Sequence, residues 1–352
     1  MTTSPEVTRT ALPALDYTRT VDRLLVHRDA LGEVFLTDLQ PVDGDGYAAA
    51  AQLPRSHAYY GDHLLRPGCH DPLLILEACR QAALAGAHRF FDVPSDNKFI
   101  LTHLRLRLDQ PHLTYVGTSP FRLALRVRIA DRKERDRRVT GLDYEIDLYV
   151  GESLIGTAAI GLRFKTPNGY LTLRLNNRDG MALPSSASYP AATPGAPLTP
   201  HLAGRANPDN VVLLDATVVG DNAQALLRIP AHHASLFDHP QDHLPGMVIA
   251  EGARQLALFA ALDIRGLAPS KTLITELDVR FTRFGELEDD TVLSATVPRL
   301  PHAGAGEVVD YTLGGALDSR PGTGTTLPVH VEATQKGEVL CSFDLVLTRV
   351  PA

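Results

Sequence analysis

An α+β fold built from two copies of one unit, each an antiparallel sheet wrapped around a single long helix, is predicted by three observations. One short motif occurs twice in the 352 residues. Each copy opens an apolar, helix-like stretch flanked by strand-like runs, and a Pro- and Ala-rich segment separates the copies.

The motif reads Leu73-Leu74-Ile75-Leu76-Glu77-Ala78-Cys79-Arg80-Gln81 in the first half and Met247-Val248-Ile249-Ala250-Glu251-Gly252-Ala253-Arg254-Gln255 in the second. Its shared core is E-x-x-R-Q, with Glu77 and Glu251 174 positions apart. The flanks repeat too: Leu53-Pro54 and His57 precede the first copy much as Ile229-Pro230 and His233 precede the second. Fixed-offset similarity of this kind marks a duplicated structural unit.

The elements follow in order. Runs 33–39 and 46–53 read as strands. Asp71-Pro72 then starts a helix over 71–90, and strands follow at 98–109, 121–130, 139–150 and 153–164. The charged stretch Asp131 to Arg138 between two of them reads as a hairpin tip. Residues 181–209 lack periodicity and have the composition of a linker. Strands are expected again at 211–219 and 223–229, with a helix over 246–263 after Pro245-Gly246. Further strands are expected at 271–284, 291–299, 306–314, 326–335 and 338–348. The domains are therefore set at 17–165 and 210–350, joined by 166–209.

Composition narrows the function. A hydrophobic fraction of 44% with 21% charged residues is that of an ordinary globular chain. A net charge of -7 disfavours nucleic acid, whose phosphates call for a clustered positive field. Neither a membrane-spanning run nor a signal-peptide layout is seen, so a cytoplasmic protein is expected. Cys69, Cys79 and Cys341 form no CxxC pair and are expected to be buried free thiols. His57, His63, His70, His233, His239 and His243 fit no common zinc spacing, and no metal is expected.

Residues 233–256, HASLFDHPQDHLPGMVIAEGARQL, resemble the active-site segment of β-hydroxyacyl-ACP dehydratases, in which a His-bearing loop leads through Pro-Gly to a helix carrying Glu. The first half, with PRSHAYYGDH, HDPLLILEACRQ and VHRDALGEVFLTDL, resembles more specifically the AfsA-like A-factor biosynthesis family, and that similarity extends over nearly the whole chain. The resemblance implies a tandem hotdog fold. It also implies transfer of a β-ketoacyl group from an acyl carrier protein to dihydroxyacetone phosphate, toward γ-butyrolactone, butenolide or furan signals. The chain would need no cofactor of its own, because the carrier protein supplies the phosphopantetheine. Counting the dehydratase His-to-Glu spacing back from Glu77 lands on His63, but from Glu251 it lands on Phe237. That departure, with Asp71-Pro72 in the Pro-Gly position of the first half, argues against dehydration.

Hotdog pairs generally build sites between halves, so Glu251 is expected near His63. On a helix, positions i, i+3 and i+4 share a face, which groups Glu251 with Arg254 and Gln255, and Glu77 with Arg80 and Gln81. Such a Glu/Arg pair is ordinarily a structural ion pair; the repeat is what favours a functional one. Glu251, Glu77 and His63 are the catalytic candidates, with Glu251 as proton acceptor if an apolar setting raises its pKa and a nearby Arg does not lower it. Arg254 would hold the acceptor phosphate through its planar, always-charged fork. Backbone N–H groups at Gly246 and Met247 would stabilise the oxyanion. Gln255, Arg80 and Gln81 complete the predicted binding set. A hotdog dehydratase or thioesterase and a non-catalytic acyl-binding protein are the competing functions.

Overall fold

The computed structural model describes residues 12–42, 44–190, 194–298 and 326–350. The first half contains β1 (Leu36–Pro41), β2 (Gly46–Leu53), α1 (Pro72–Phe90), β3 (Lys98–Leu108), β4 (Phe121–Arg135), β5 (Arg138–Val150) and β6 (Ser153–Lys165). After α2 (Pro167–Asn177) come β7 (Leu213–Val219), β8 (Asn222–Leu227), α3 (Gly246–Arg265), β9 (Thr272–Phe281), β10 (Val292–Thr296), β11 (Thr326–Gln335) and β12 (Glu338–Arg349). The strand expected at 306–314 lies outside the described residues.

All twelve strands form one sheet in the order β1-β2-β4-β5-β6-β3-β9-β12-β11-β10-β8-β7. Read from either edge toward the middle, the order within each half is the same. The join is β3 against β9, antiparallel from His103↔Arg280 to Arg107↔Glu276. Leu104 and Leu106 face the core side of this seam with Val279 and Leu277, all buried. The alternate positions carry the exposed pairs Arg105–Asp278 (2.8 Å) and Arg107–Glu276 (3.8 Å).

The helices form where their local chemistry directs. Asp71 caps α1 by accepting from the Leu73 N–H at 2.8 Å, and Pro72 takes the first-turn position where its missing N–H is no loss. Almost every α1 side chain through Ala87 is buried, and its many alanines let it lie close to the sheet. α3 ends in a glycine cap: Gly266 sits at φ 67, its N–H reaches the Leu262 carbonyl, and Leu267 N–H reaches Ala261. One continuous hydrophobic cluster joins both helices to the sheet.

Three local outcomes differ from, or refine, the sequence expectations. β1 starts at Leu36 rather than 33, because Leu31–Glu33 is a 3-10 turn. The hairpin tip is sharper than drawn: β4 and β5 pair out to Arg135↔Arg138, and Asp136 and Arg137 turn the chain with φ of 53° and 62°, the geometry of a type I′ turn. The segment joining the halves carries the unforeseen helix α2. Thr166 caps it and Pro167 starts it, and its Arg174, fully buried, pairs with Glu286 at 2.6 Å and lies 4.5 Å over the Phe284 ring. The three cysteines are buried free thiols.

Candidate active site

Each copy of E-x-x-R-Q builds a buried ionic cluster on its helix. Glu251 is fully buried. Its Oε1 accepts from Arg254 Nη2 (2.6 Å), Arg205 Nε (3.1 Å) and Gln255 Nε2, and its Oε2 accepts from Tyr59 Oη (2.9 Å) and Arg254 Nε (3.0 Å). Burial by itself would raise the carboxyl pKa, but Arg205 and Arg254 outweigh it and hold Glu251 ionised, with a pKa of about 2. Glu77 repeats the arrangement with Arg28 (2.6 Å), Arg80 (2.7 and 2.9 Å) and Gln81 (3.0 Å), again with burial overridden to a pKa of about 2. The condition for a base of raised pKa is therefore not met at either glutamate.

The glutamines are also committed internally. Gln81 accepts from Phe35 N–H and donates to Glu33 O, and Gln255 accepts from Val212 N–H and donates to Asn210 O. Each ties its helix to the start of β1 or β7. Gln81 and Gln255, expected to bind substrate, are both fully buried, with side-chain oxygen and nitrogen occupied by protein partners.

A cavity lies beside Arg254. His63, Cys69, His70, Asp71 and Pro72 of the first half line it, together with Gly204 of the joining segment and Arg254, Leu258 and Leu273 of the second half. Its volume of about 30 Å³ leaves room for little more than a water. Glu251 does not line it; its partner Arg254 does, so His63 meets the Glu251 cluster through that guanidinium. Gly246 and Met247 are not among the lining residues. The helix start that faces Arg254 is that of α1, at Asp71 and Pro72, which line the cavity with it.

Three buried polar atoms of this lining have no hydrogen-bond partner among the described residues: His63 Nδ1, His70 Nε2 and Asp71 Oδ2. His63 Nε2 lies 2.7 Å from the Cys69 carbonyl. A carbonyl can only accept, so Nε2 carries the proton and Nδ1 holds a free lone pair. Burial keeps the ring neutral by lowering its pKa, against the opposing pull of Asp71. His70 is also neutral, its pKa lowered to about 4 by burial and by His63. Arg254 spends Nε and Nη2 on Glu251, and no described residue takes its Nη1. The arrangement thus offers an anchored guanidinium for an anion and a neutral imidazole base across the cavity.

Sequence reasoning missed Arg28, Arg205 and Tyr59. A signal was present, since Arg28 and Arg205 are 177 positions apart and are followed at equal spacing by Val34-Phe35-Leu36 and Val211-Val212-Leu213. Nothing in the sequence marks Tyr59, whose phenol reaches Glu251 across the halves.

A duplicated sheet-and-helix unit with a buried Glu–Arg pair and an imidazole-lined cavity between halves is the frame of a hotdog protein handling an acyl group. The sequence model of the A-factor biosynthesis hotdog domain (AfsA) matches residues 11–165 and 187–313, and the chain belongs to this family. It is 35% identical over 272 residues to a Streptomyces virginiae protein named 2-oxo-3-(phosphooxy)propyl 3-oxoalkanoate synthase, covering 77% of this chain and 85% of that one. Proteins of the same name from Streptomyces griseus and Streptomyces coelicolor are each 32% identical, over 277 residues (78% and 84% of the two chains) and 300 residues (85% and 86%).

Proposed function

We propose that this chain is an acyltransferase that moves a 3-oxoacyl group from an acyl carrier protein thioester to the hydroxyl of dihydroxyacetone phosphate. The product is a 2-oxo-3-(phosphooxy)propyl 3-oxoalkanoate, as in the names of its relatives. The two halves are read as two hotdog units, at 17–165 and 210–350, with 166–209 joining them. Their matching strand order supports that reading. The enzyme works in the cytoplasm and takes its phosphopantetheine from the carrier protein. No helix among the described residues is long and apolar enough to cross a membrane, which agrees with that setting.

The observation that carries the reaction is the pairing, across one cavity, of a guanidinium whose Nη1 has no hydrogen-bond partner among the described residues and an imidazole with a free lone pair. Arg254 binds the acceptor phosphate. His63 Nδ1 takes the hydroxyl proton as that oxygen attacks the thioester carbonyl; the C–O bond forms, the C–S bond breaks, and the proton leaves with the pantetheine thiol. Glu251 positions Arg254 rather than accepting the proton, since its oxygens are already occupied. The acceptor is larger than the cavity, so binding must part the walls. Leu65, Cys69, Leu273 and Val350 form a small apolar cluster separate from the main core, and this is the wall able to yield.

Mass spectrometry of a 3-oxoacyl carrier protein incubated with and without dihydroxyacetone phosphate tests the reading. A phosphorylated ester that appears only with the acceptor is expected. Arg254→Lys should reduce it about 100-fold, because an ammonium cannot keep the paired bonds to Glu251 while holding phosphate. Hydrolysis or dehydration independent of the acceptor would instead favour a thioesterase or dehydratase, and binding without turnover would favour an acyl-sequestering role.

A further inference from the structure

The two Glu–Arg–Gln half-sites differ at one turn. Each is served by a 3-10 turn that ends in a left-handed residue followed directly by the arginine reaching the helix glutamate. In the second half these residues are Gly204 and Arg205; in the first they are His27 and Arg28. Gly204, at φ 74, forms part of the wall of the Arg254 cavity, where an added Cβ would come within 3.0 Å of Leu258 Cδ1 and 3.5 Å of Pro269 Cβ. His27 adopts φ 52, a conformation that side chains other than glycine resist. A strained residue persists where its surroundings hold it, and here they do so through the imidazole.

His27 Nε2 lies 2.9 Å from His88 Nε2, and His88 Nδ1 lies 2.7 Å from the Val93 carbonyl. The carbonyl fixes His88 as donor through Nδ1, so its Nε2 accepts from His27. Phe99 closes the group, edge-on to His27 with ring centres 4.7 Å apart and 5.0 Å from His88. Phe99 is the second residue of β3 as Leu273 is of β9, one residue past Lys98 and Thr272, which share the 174-residue offset of the helices. Leu273 lines the Arg254 cavity. A histidine pair and a phenylalanine therefore stand in the first half where a glycine and a leucine border open space in the second.

We propose that substrate is admitted only at the α3 half-site, that His27 plugs the α1 half-site, and that the residue at this turn position, Gly204 or His27, decides which is open. Glu77 and Arg80 then act as scaffold, the counterpart of the Glu251–Arg254 pair. This inference rests on the transferase reading for its assay, and the variants below separate the two.

The acceptor-dependent ester is measured for wild type, Gly204→His, Leu258→Phe and His27→Gly, each checked for native circular dichroism and melting. Gly204→His should lose at least about 100-fold in kcat/KM, and the backbone at His27 shows that this turn accepts a histidine. Leu258→Phe fills the same cavity from the helix without backbone strain and should show a similar loss if Gly204→His does not fold. His27→Gly should stay within about twofold of wild type. A folded His27→Gly that loses tenfold or more would overturn the proposal and make the histidine pair part of a working site, as would full activity in both cavity-filling variants. If the wild type makes no acceptor-dependent ester, the transferase reading itself fails.

Discussion

At the scale of single residues, the helix glutamates act as anions sealed into the core. Removing one partner from such a cluster leaves buried charge uncompensated, so Glu251→Ala is expected to cost about 3–5 kcal/mol of stability by exposing Arg205 and Arg254 to each other. Urea melts would show this, and a loss below 1 kcal/mol would mean that solvent reaches the cluster. The sign of the pH dependence follows from the depressed values. Glu77 and Glu251 titrate near 2 when folded against 4.5 ordinarily, so their contribution is complete above pH 4.5 and is lost as pH falls from 4.5 toward 2. In the proposed mechanism catalysis answers to His63 instead. Burial lowers its pKa below 6.5, so kcat/KM should be level above that pH and decline only in more acidic solution. An acid limb lying above 6.5, or one that survives unchanged in His63→Gln, would remove His63 from the base role. Of these residues, Glu77, Arg80, His63, Glu251 and Arg254 were legible as candidates from the repeat and its spacing. Whether a glutamate is base or counter-ion depends on Arg28 and Arg205, which arrive from distant turns, and no local pattern announces that.

At the scale of elements, the helices were readable because caps and apolar composition are local properties, whereas their fit against the sheet is not. Gly86 illustrates the difference. In an exposed helix Gly→Ala stabilises by about 1 kcal/mol. Here an added Cβ would lie 2.1 Å from Tyr47 Oη and 2.2 Å from its Cζ, while that hydroxyl bonds the Ala82 carbonyl at 2.9 Å. Gly86→Ala is therefore expected to destabilise by about 1–3 kcal/mol, a reversal of the helix preference that thermal melts would register directly. α2 shows the opposite failure: its Thr166-Pro167 start was written in the sequence, but the residues before the linker-like stretch at 181–209 were assigned to the connection between the halves. Its stability comes from Arg174 and Arg178 docking on Glu286, a partner more than a hundred residues away.

At the scale of the whole molecule, the halves are locked by reciprocal contacts beyond the β3–β9 seam. Asp62 accepts from the Ala206 and Asn207 N–H groups, and Asp238 accepts in the matching way from Asp29 and Ala30. Glu33 receives the Ser235 hydroxyl, and Tyr59 donates to Glu251. With one shared core and crossed polar ties, unfolding should be a single transition. Reporters placed separately in β5 and β11 are expected to give the same urea midpoint; midpoints that differ would show halves that open independently.

The sequence by itself determined the duplication, the two central helices, nearly every described strand, the hairpin tip and the family, because these rest on periodicity, capping and spacing along the chain. Tertiary structure alone decided the ionisation of Glu77 and Glu251, the commitment of both glutamines to backbone, the pairing of α1's start with Arg254, and the contrast between Gly204 and His27. Each of those depends on which groups from the other end of the chain enter a place without water. There, one added guanidinium or one missing side chain changes the electrostatics and the free volume together.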